Sequence, residues 1–197
     1  GDLLRMIRIL LNDALPPRPV TVAPGWRLPE GAIWLDLLDP TREEELAAEQ
    51  ALGLSLPTRE EMAEIESSSR LYRDDGAIFM TASILAHSDT PVPQIGPVTF
   101  VLTKTRFLVT IRYIEPRAFT LFHQQLERDP AACGTGTGVL LALLDVLIDR
   151  LADVLEKAVA EVESMSTSVF NRPDKIDFRR IMDRLGTSGN KTDWAKQ

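Results

Sequence analysis

"PTREEMAEIESSSRLYRDDGAIFMTASI" occupies residues 57–84, and the rule that governs it changes half-way along. Thr58 and Glu61 stand three apart, the spacing of a capping box, so a helix is expected to open at Arg59. That helix is expected to end near Glu66. After the serines, 69–74 and 77–85 become β-branched and aromatic around Asp75-Gly76, which is the signature of a hairpin. A short acidic helix that runs directly into a strand pair places this stretch in a mixed α and β fold.

The neighbouring segments extend the same reading. "LRMIRILLND" (4–13) and "AIWLDLLD" (32–39) read as strands, while Pro16, Pro17, Pro19 and Pro24 exclude regular structure from the loop between them. Asp39 or Thr41 caps a helix over 42–52, with Glu43–Glu45 in its first turn and Gly53 as its stop. "PVTFVLTKT" (97–105) and "FLVTIRYI" (107–114) form a second hairpin that turns near Lys104–Arg106. A helix over 115–129 follows, with Pro116 in its first turn.

Residues 138–170 differ in kind. Leu140, Leu144, Leu147, Leu151, Leu155, Ala158, Val162, Met165 and Val169 step by three or four and lie on one stripe of a helix of about 30 residues. Asn171-Arg172-Pro173 stops it, and "DKIDFRRIMDRLG" starts another helix. Strands and helices alternate first and helices alone follow. The expected class is α/β (α+β): a sheet domain over 1–130 and a long helical extension, a helix hairpin, over 131–197.

Composition narrows the function. The net charge of −7 argues against a nucleic-acid surface, which needs basic patches. A single cysteine, Cys133, rules out an internal disulfide and makes a reducing compartment the default. There is no signal-peptide pattern, and no window of about 18 uninterrupted apolar residues. Enzyme signals are poor. His87 and His123 have no neighbour at metal-ligand spacing, and each reads as a surface or strand-end residue. Cys133 reads as structural. "GTGTG" (134–138) lacks the Lys-Ser/Thr of a phosphate loop and reads as a flexible linker.

The carboxylates carry more information. Glu60, Glu61, Glu64 and Glu66 crowd the short helix. Asp145, Asp149, Asp153 and Glu156 fall within an arc of about 80° on the long one. Like charges at i, i+4 repel by about 0.2–0.5 kcal/mol per pair. Such rows are either solvated faces or places where a cation or a basic surface relieves the repulsion. A Mg²⁺ site needs one or two carboxylates and leaves little trace in a sequence.

Taken in order, "WLDLLDPT", "LGLSLPTREEMAEIESSSRLY", "FVLTKTRFLVTIR" and the long acidic-apolar helix resemble the cytoplasmic N-terminal region of the CorA family of divalent-cation transporters, over roughly residues 30–185. The resemblance implies an αβα sandwich with a mixed sheet, followed by long helices that lead toward a membrane stalk. It implies a homopentamer at the cell inner membrane, with this domain on the cytoplasmic side, passing Mg²⁺ and also Co²⁺ or Ni²⁺ down their gradient. It further implies that Mg²⁺ bound between subunits holds the assembly closed.

By position, Glu64 takes the place of an acidic ligand of the intersubunit site, where the family often carries Asp. Glu61, Asp145 and Asp149 take the places of secondary ligands. The family's two membrane spans and its Gly-Met-Asn loop are not among these 197 residues, so the chain is expected to be an excised soluble domain that does not conduct by itself. A zinc-transport relative handling Zn²⁺, and a soluble adaptor that binds partners through the long helix, are the competing readings.

Overall fold

Two strands in the middle of the sheet are apolar on both faces, which is the pattern of parallel strands covered from both sides. They are β3 (Ala32–Leu38) and β7 (Leu108–Arg112). They pair in parallel, with Leu35 beside Val109 and Asp36 beside Thr110. The computed structural model describes residues 5–64, 70–88, 90 and 92–170. Around the central pair lie β1 (Met6–Leu11), β2 (Arg18–Pro19), β4 (Leu71–Asp74), β5 (Ala77–Ala86) and β6 (Gln94–Leu102). The seven strands run in the order β2-β1-β3-β7-β6-β5-β4, and every pair except β3–β7 is antiparallel.

Alternation along the strands creates two cores. Leu35, Leu37, Val109, Ile111, Val101 and Phe79 point to one face. There they meet α1 (Arg42–Leu52) through Ala47 and Ala48, and α2 (Arg59–Glu64) through Met62. Trp34, Leu108, Val98 and Phe100 point to the other face. There they meet α3 (Arg117–Arg128) through Phe119, Phe122 and Leu126, and the first turns of α4 (Gly136–Phe170) through Val139, Leu140 and Leu143. The expected αβα sandwich with a mixed sheet is therefore the observed architecture, with α1 and α2 on one side and α3 and α4 on the other.

Helix limits follow the local signals. Thr41, not Asp39, caps α1: its hydroxyl accepts from the Glu44 amide, and the Glu44 carboxylate accepts from the Thr41 amide at 2.7 Å. Gly53 ends α1 in the left-handed region at φ +66°. Pro116 caps α3 without a side-chain bond.

Two expectations need correcting. The proline-rich loop is not wholly irregular: Arg18–Pro19 pairs with β1 at the sheet edge, where a proline's missing donor faces away from the ladder. The glycine-rich stretch is not a flexible linker either. Gly136 and Gly138 lie in the first turn of α4, and Gly136 is pressed against the backbone of β3 and of the segment leading into β7. The returning helix expected over 174–185 lies outside the described residues.

The apolar stripe of α4 divides in two. Leu140, Leu144 and Leu147 belong to the second core, whereas Leu151, Leu155 and Val162 are more than half exposed. Met165, further along, is buried. Among the described residues, no helix is long and apolar enough to cross a membrane.

Candidate functional site

Helix α2 has six residues, fewer than an isolated helix needs to be stable in water, so its ends and its one buried side chain hold it. The capping box expected from Thr58 and Glu61 is made. The Glu61 carboxylate accepts from the Thr58 amide at 2.8 Å and from its hydroxyl at 3.0 Å, and the Glu61 amide donates back to that hydroxyl at 3.3 Å. These bonds, from the backbone first and then the hydroxyl, hold the Glu61 carboxyl below the usual carboxylate range, with Arg42 adding to them. Met62 is buried. Glu60, Glu61 and Glu64 are exposed. Thr58→Ala is expected to cost about 1 kcal/mol, because it removes the two bonds made by the hydroxyl and leaves the one from the Thr58 backbone amide. Urea denaturation of the two proteins measures it.

Asp145 and Asp149 lie exposed on α4, and Asp153 further along pairs with Arg150 at 3.2 Å. Within one chain these acids stand in a different layer from Glu61 and Glu64. The short helix covers one face of the sheet and the long helix the other. The four candidate ligands are therefore not brought together by the fold of a single chain. Among the described residues, no group of three or more His, Cys, Asp or Glu side chains is placed to hold a metal ion. The described part of the chain thus offers two acidic faces on opposite sides of the sheet.

A second polar cluster, absent from the reading of the sequence, lies in the core. Asp36 on β3 accepts four hydrogen bonds: from the Thr110 hydroxyl at 2.7 Å, from Arg112 Nε at 3.1 Å and Nη2 at 2.8 Å, and from His123 Nε2 at 3.0 Å. Asp36 and Arg112 are 1% and 0% exposed, so this ion pair has essentially no contact with water. Burial alone would push the Asp36 carboxyl up. The Arg112 charge overrides it, helped by hydrogen bonds from His123 and Arg112, and holds the group well below the usual range. An ionised carboxylate only accepts, so His123 carries its proton on Nε2.

His123 is thus neither a surface nor a strand-end residue, contrary to expectation. It is buried on α3 and stacked on Trp34 with ring centroids 4.9 Å apart. His87 is exposed directly after β5, as expected. The signal for the cluster was present in the sequence: one acid, Asp36, within "AIWLDLL" and one arginine, Arg112, within "FLVTIRYI", each on a strand too apolar to face water. A charge buried on such strands must be paired. Cys133 is buried in the second core, and burial, with Asp129 adding to it, pushes its thiol up, away from reactivity.

Comparison with known proteins gives the same family from two directions. The family model described as CorA-like Mg2+ transporter protein matches residues 29–188. The magnesium transport protein CorA of Haemophilus influenzae is 32% identical over 154 residues, covering 78% of this chain and 49% of that protein. CorA of Escherichia coli K12 is 30% identical over 154 residues, covering 78% of this chain and 48% of its own length. The chain thus spans about half the length of the curated relatives it matches.

Among solved structures, the soluble domain of CorA from Methanocaldococcus jannaschii superposes with a TM-score of 0.68 at 15% identity, covering 95% of this chain and 72% of that one. The ZntB cytoplasmic domain from Vibrio parahaemolyticus gives 0.61 at 12% identity, covering 94% and 74%. At these identities the likeness is one of fold.

Proposed function

Because the chain belongs to the CorA-like Mg2+ transporter protein family, we propose that it forms the cytoplasmic, cation-sensing part of a homo-oligomeric Mg²⁺ transport protein. The division into a sheet domain over 1–130 and a helical extension over 131–197 belongs to the same proposal. So does a pentameric assembly at the inner membrane that passes Mg²⁺ and also Co²⁺ or Ni²⁺.

One observation carries the reading. Glu64 and Glu61 are exposed on one outer layer, while Asp145 and Asp149 are exposed on the opposite one. Faces that cannot meet within a chain can meet between neighbouring copies arranged side by side. Two carboxylate rows brought together repel, and a divalent ion between them removes the repulsion. In this account internal Mg²⁺ closes the assembly, and its loss lets the rows push apart. The ion acts only through its preference for the closed arrangement.

The likeness to a ZntB cytoplasmic domain raises zinc as a second reading. The donors favour the harder ion. The candidate ligands are all carboxylates, while Cys133 is buried, His123 is already engaged with Asp36, and the exposed His87 belongs to no metal-holding group of three or more among the described residues.

Titration of Mg²⁺ and, separately, Zn²⁺ into the purified chain, following thermal midpoint and solution mass, tests the proposal. Mg²⁺ is expected to raise one or both. A ligand at 100 times its dissociation constant adds about 2.7 kcal/mol to the state it binds. Glu64→Ala is expected to abolish most of that gain while leaving the metal-free midpoint nearly unchanged. An equal Mg²⁺ response in Glu64→Ala, or no response in either protein, would count against the reading, and a response to Zn²⁺ alone would transfer it to zinc.

A further inference from the structure

Helix α2 bears Glu61 and Glu64, yet little of its own structure holds it in place. It has six residues, and among them Met62 is the one buried. A ligand-bearing carboxylate must be held within about 0.5 Å of its working position. Something other than α2 must therefore orient it.

The elements around its first turn supply such a support. Tyr113 directly follows β7 and packs in the core beneath α1 and α2, 8% exposed. Its hydroxyl donates to Glu45 Oε1 on α1. Glu45 is itself 5% exposed, and its other oxygen accepts from Arg42 Nη1 at 2.8 Å. Over the Tyr113 ring lies the guanidinium of Arg59, the first residue of α2, 5.1 Å from the ring centroid. The positive group faces the electron-rich face of the ring, which favours it. Arg42, Glu45, Tyr113 and Arg59 thus form one continuous chain from α1 across the end of the sheet to the base of the acidic helix.

The core itself does not require this arrangement. A phenylalanine at 113 would fill the same apolar space, so the hydroxyl and its acid partner serve to fix the ring rather than to fill volume. Once the ring is fixed, it presents a definite platform for Arg59. From Arg59, Glu64 lies five residues on, so a rotation or tilt at the first turn is carried directly to Glu64.

We propose that Tyr113, anchored by Glu45 and stacked under Arg59, is a positioning residue that sets the orientation of α2 and thereby the response of Glu64 to a divalent cation. The last part rests on the function proposed above. The ligand is a hard divalent ion, and the probe is Mg²⁺ itself.

The experiment measures hydrogen–deuterium exchange by mass spectrometry on the whole chain, with and without Mg²⁺, in the wild type, Tyr113→Phe and Glu45→Gln. Tyr113→Phe keeps the ring and loses the donor. It is expected to speed exchange in peptides covering 58–64 by about tenfold, the consequence of losing one hydrogen bond to a charged group, while α3 (117–128) stays at its wild-type rate. It is also expected to raise several-fold the Mg²⁺ concentration that gives half the stabilisation. Glu45→Gln keeps an acceptor for the phenol and is expected to keep α2 near wild-type protection.

Unchanged exchange in α2, or an equal increase in α2 and α3, overturns the clamp whatever Mg²⁺ does. Faster α2 exchange with an unchanged Mg²⁺ midpoint overturns its positioning role. A wild-type chain indifferent to Mg²⁺ overturns the proposed function and, with it, the link from the clamp to a cation; the exchange arm then still decides whether Tyr113 holds α2.

Discussion

Asp36→Ala is expected to destabilise the domain by about 3–5 kcal/mol, the usual cost of removing one partner from a buried ion pair. Domains of ordinary stability have about 5–15 kcal/mol in total, so the variant stands near the threshold of unfolding. The cause is what remains behind. Arg112 keeps a full charge at 0% exposure, with a carbonyl contact to Ile114 at 3.3 Å and the Phe119 ring 4.2 Å away as its remaining support. The Thr110 hydroxyl and His123 Nε2 lose their acceptor as well.

A double replacement, Asp36→Leu with Arg112→Met, removes the charges together and is expected to recover much of the loss. If Asp36→Ala alone cost less than 1 kcal/mol in urea, the cluster would not be the electrostatic centre described above.

The same group contributes to the loss of stability in acid. Asp36 has a folded pKa below its ordinary 3.8, so the unfolded chain binds the proton more readily. The stability this provides is complete above about pH 5 and is lost progressively as pH falls through the unfolded value toward the folded one. Urea midpoints are therefore expected to stay level between neutral pH and about pH 5 and to drop steeply below about pH 4. In Asp36→Asn the part of that drop owed to Asp36 is expected to vanish.

Gly136→Ala is the second large effect, and its sign is opposite to the one helix propensity gives. Alanine normally stabilises a helix over glycine by about 1 kcal/mol. Here a Cβ would stand 2.6 Å from the Leu108 amide nitrogen and 2.8 Å from the Ile33 carbonyl oxygen, with the Arg106 carbonyl oxygen closer still. All three are backbone atoms, two of them within or next to the central strands, so none yields without disturbing the ladder.

The expected cost is about 3 kcal/mol, in the range of overpacked sites. Gly134→Ala, where a Cβ meets nothing within 4 Å, is the control and is expected to change stability by less than about 0.5 kcal/mol. Thermal or urea midpoints compare the three proteins, and a neutral or stabilising Gly136→Ala would show that α4 is not seated as described. The seating also matters for the acids on α4. That helix is about 50 Å long, so a small tilt at Gly136 moves its far end by several ångströms.

The elements read from the sequence are those whose signals are local. Thr41 with Glu44 and Thr58 with Glu61 satisfy their own helix ends, so the two helix starts are visible in four-residue windows. Asp75-Gly76 turns its hairpin because glycine accepts φ +76° without a steric cost. The expectations that failed depend on distant partners. His123 looked solitary because its acceptor is 87 residues away in sequence. The "GTGTG" stretch looked like a linker because the reason for Gly136 is backbone belonging to β3 and to the start of β7.

Apart from the edge strand Arg18–Pro19, the order of helices and strands, the caps of α1 and α2, the hairpin turns and the presence of two acidic rows were already determined by the linear chain, since each depends on contacts between residues a few positions apart. Which row lies on which side of the sheet, the pairing of Asp36 with Arg112 and His123, and the anchoring of α2 through Tyr113 were decided only in three dimensions. Each depends on strand register, and a shift of one residue there would turn every side chain to the opposite face.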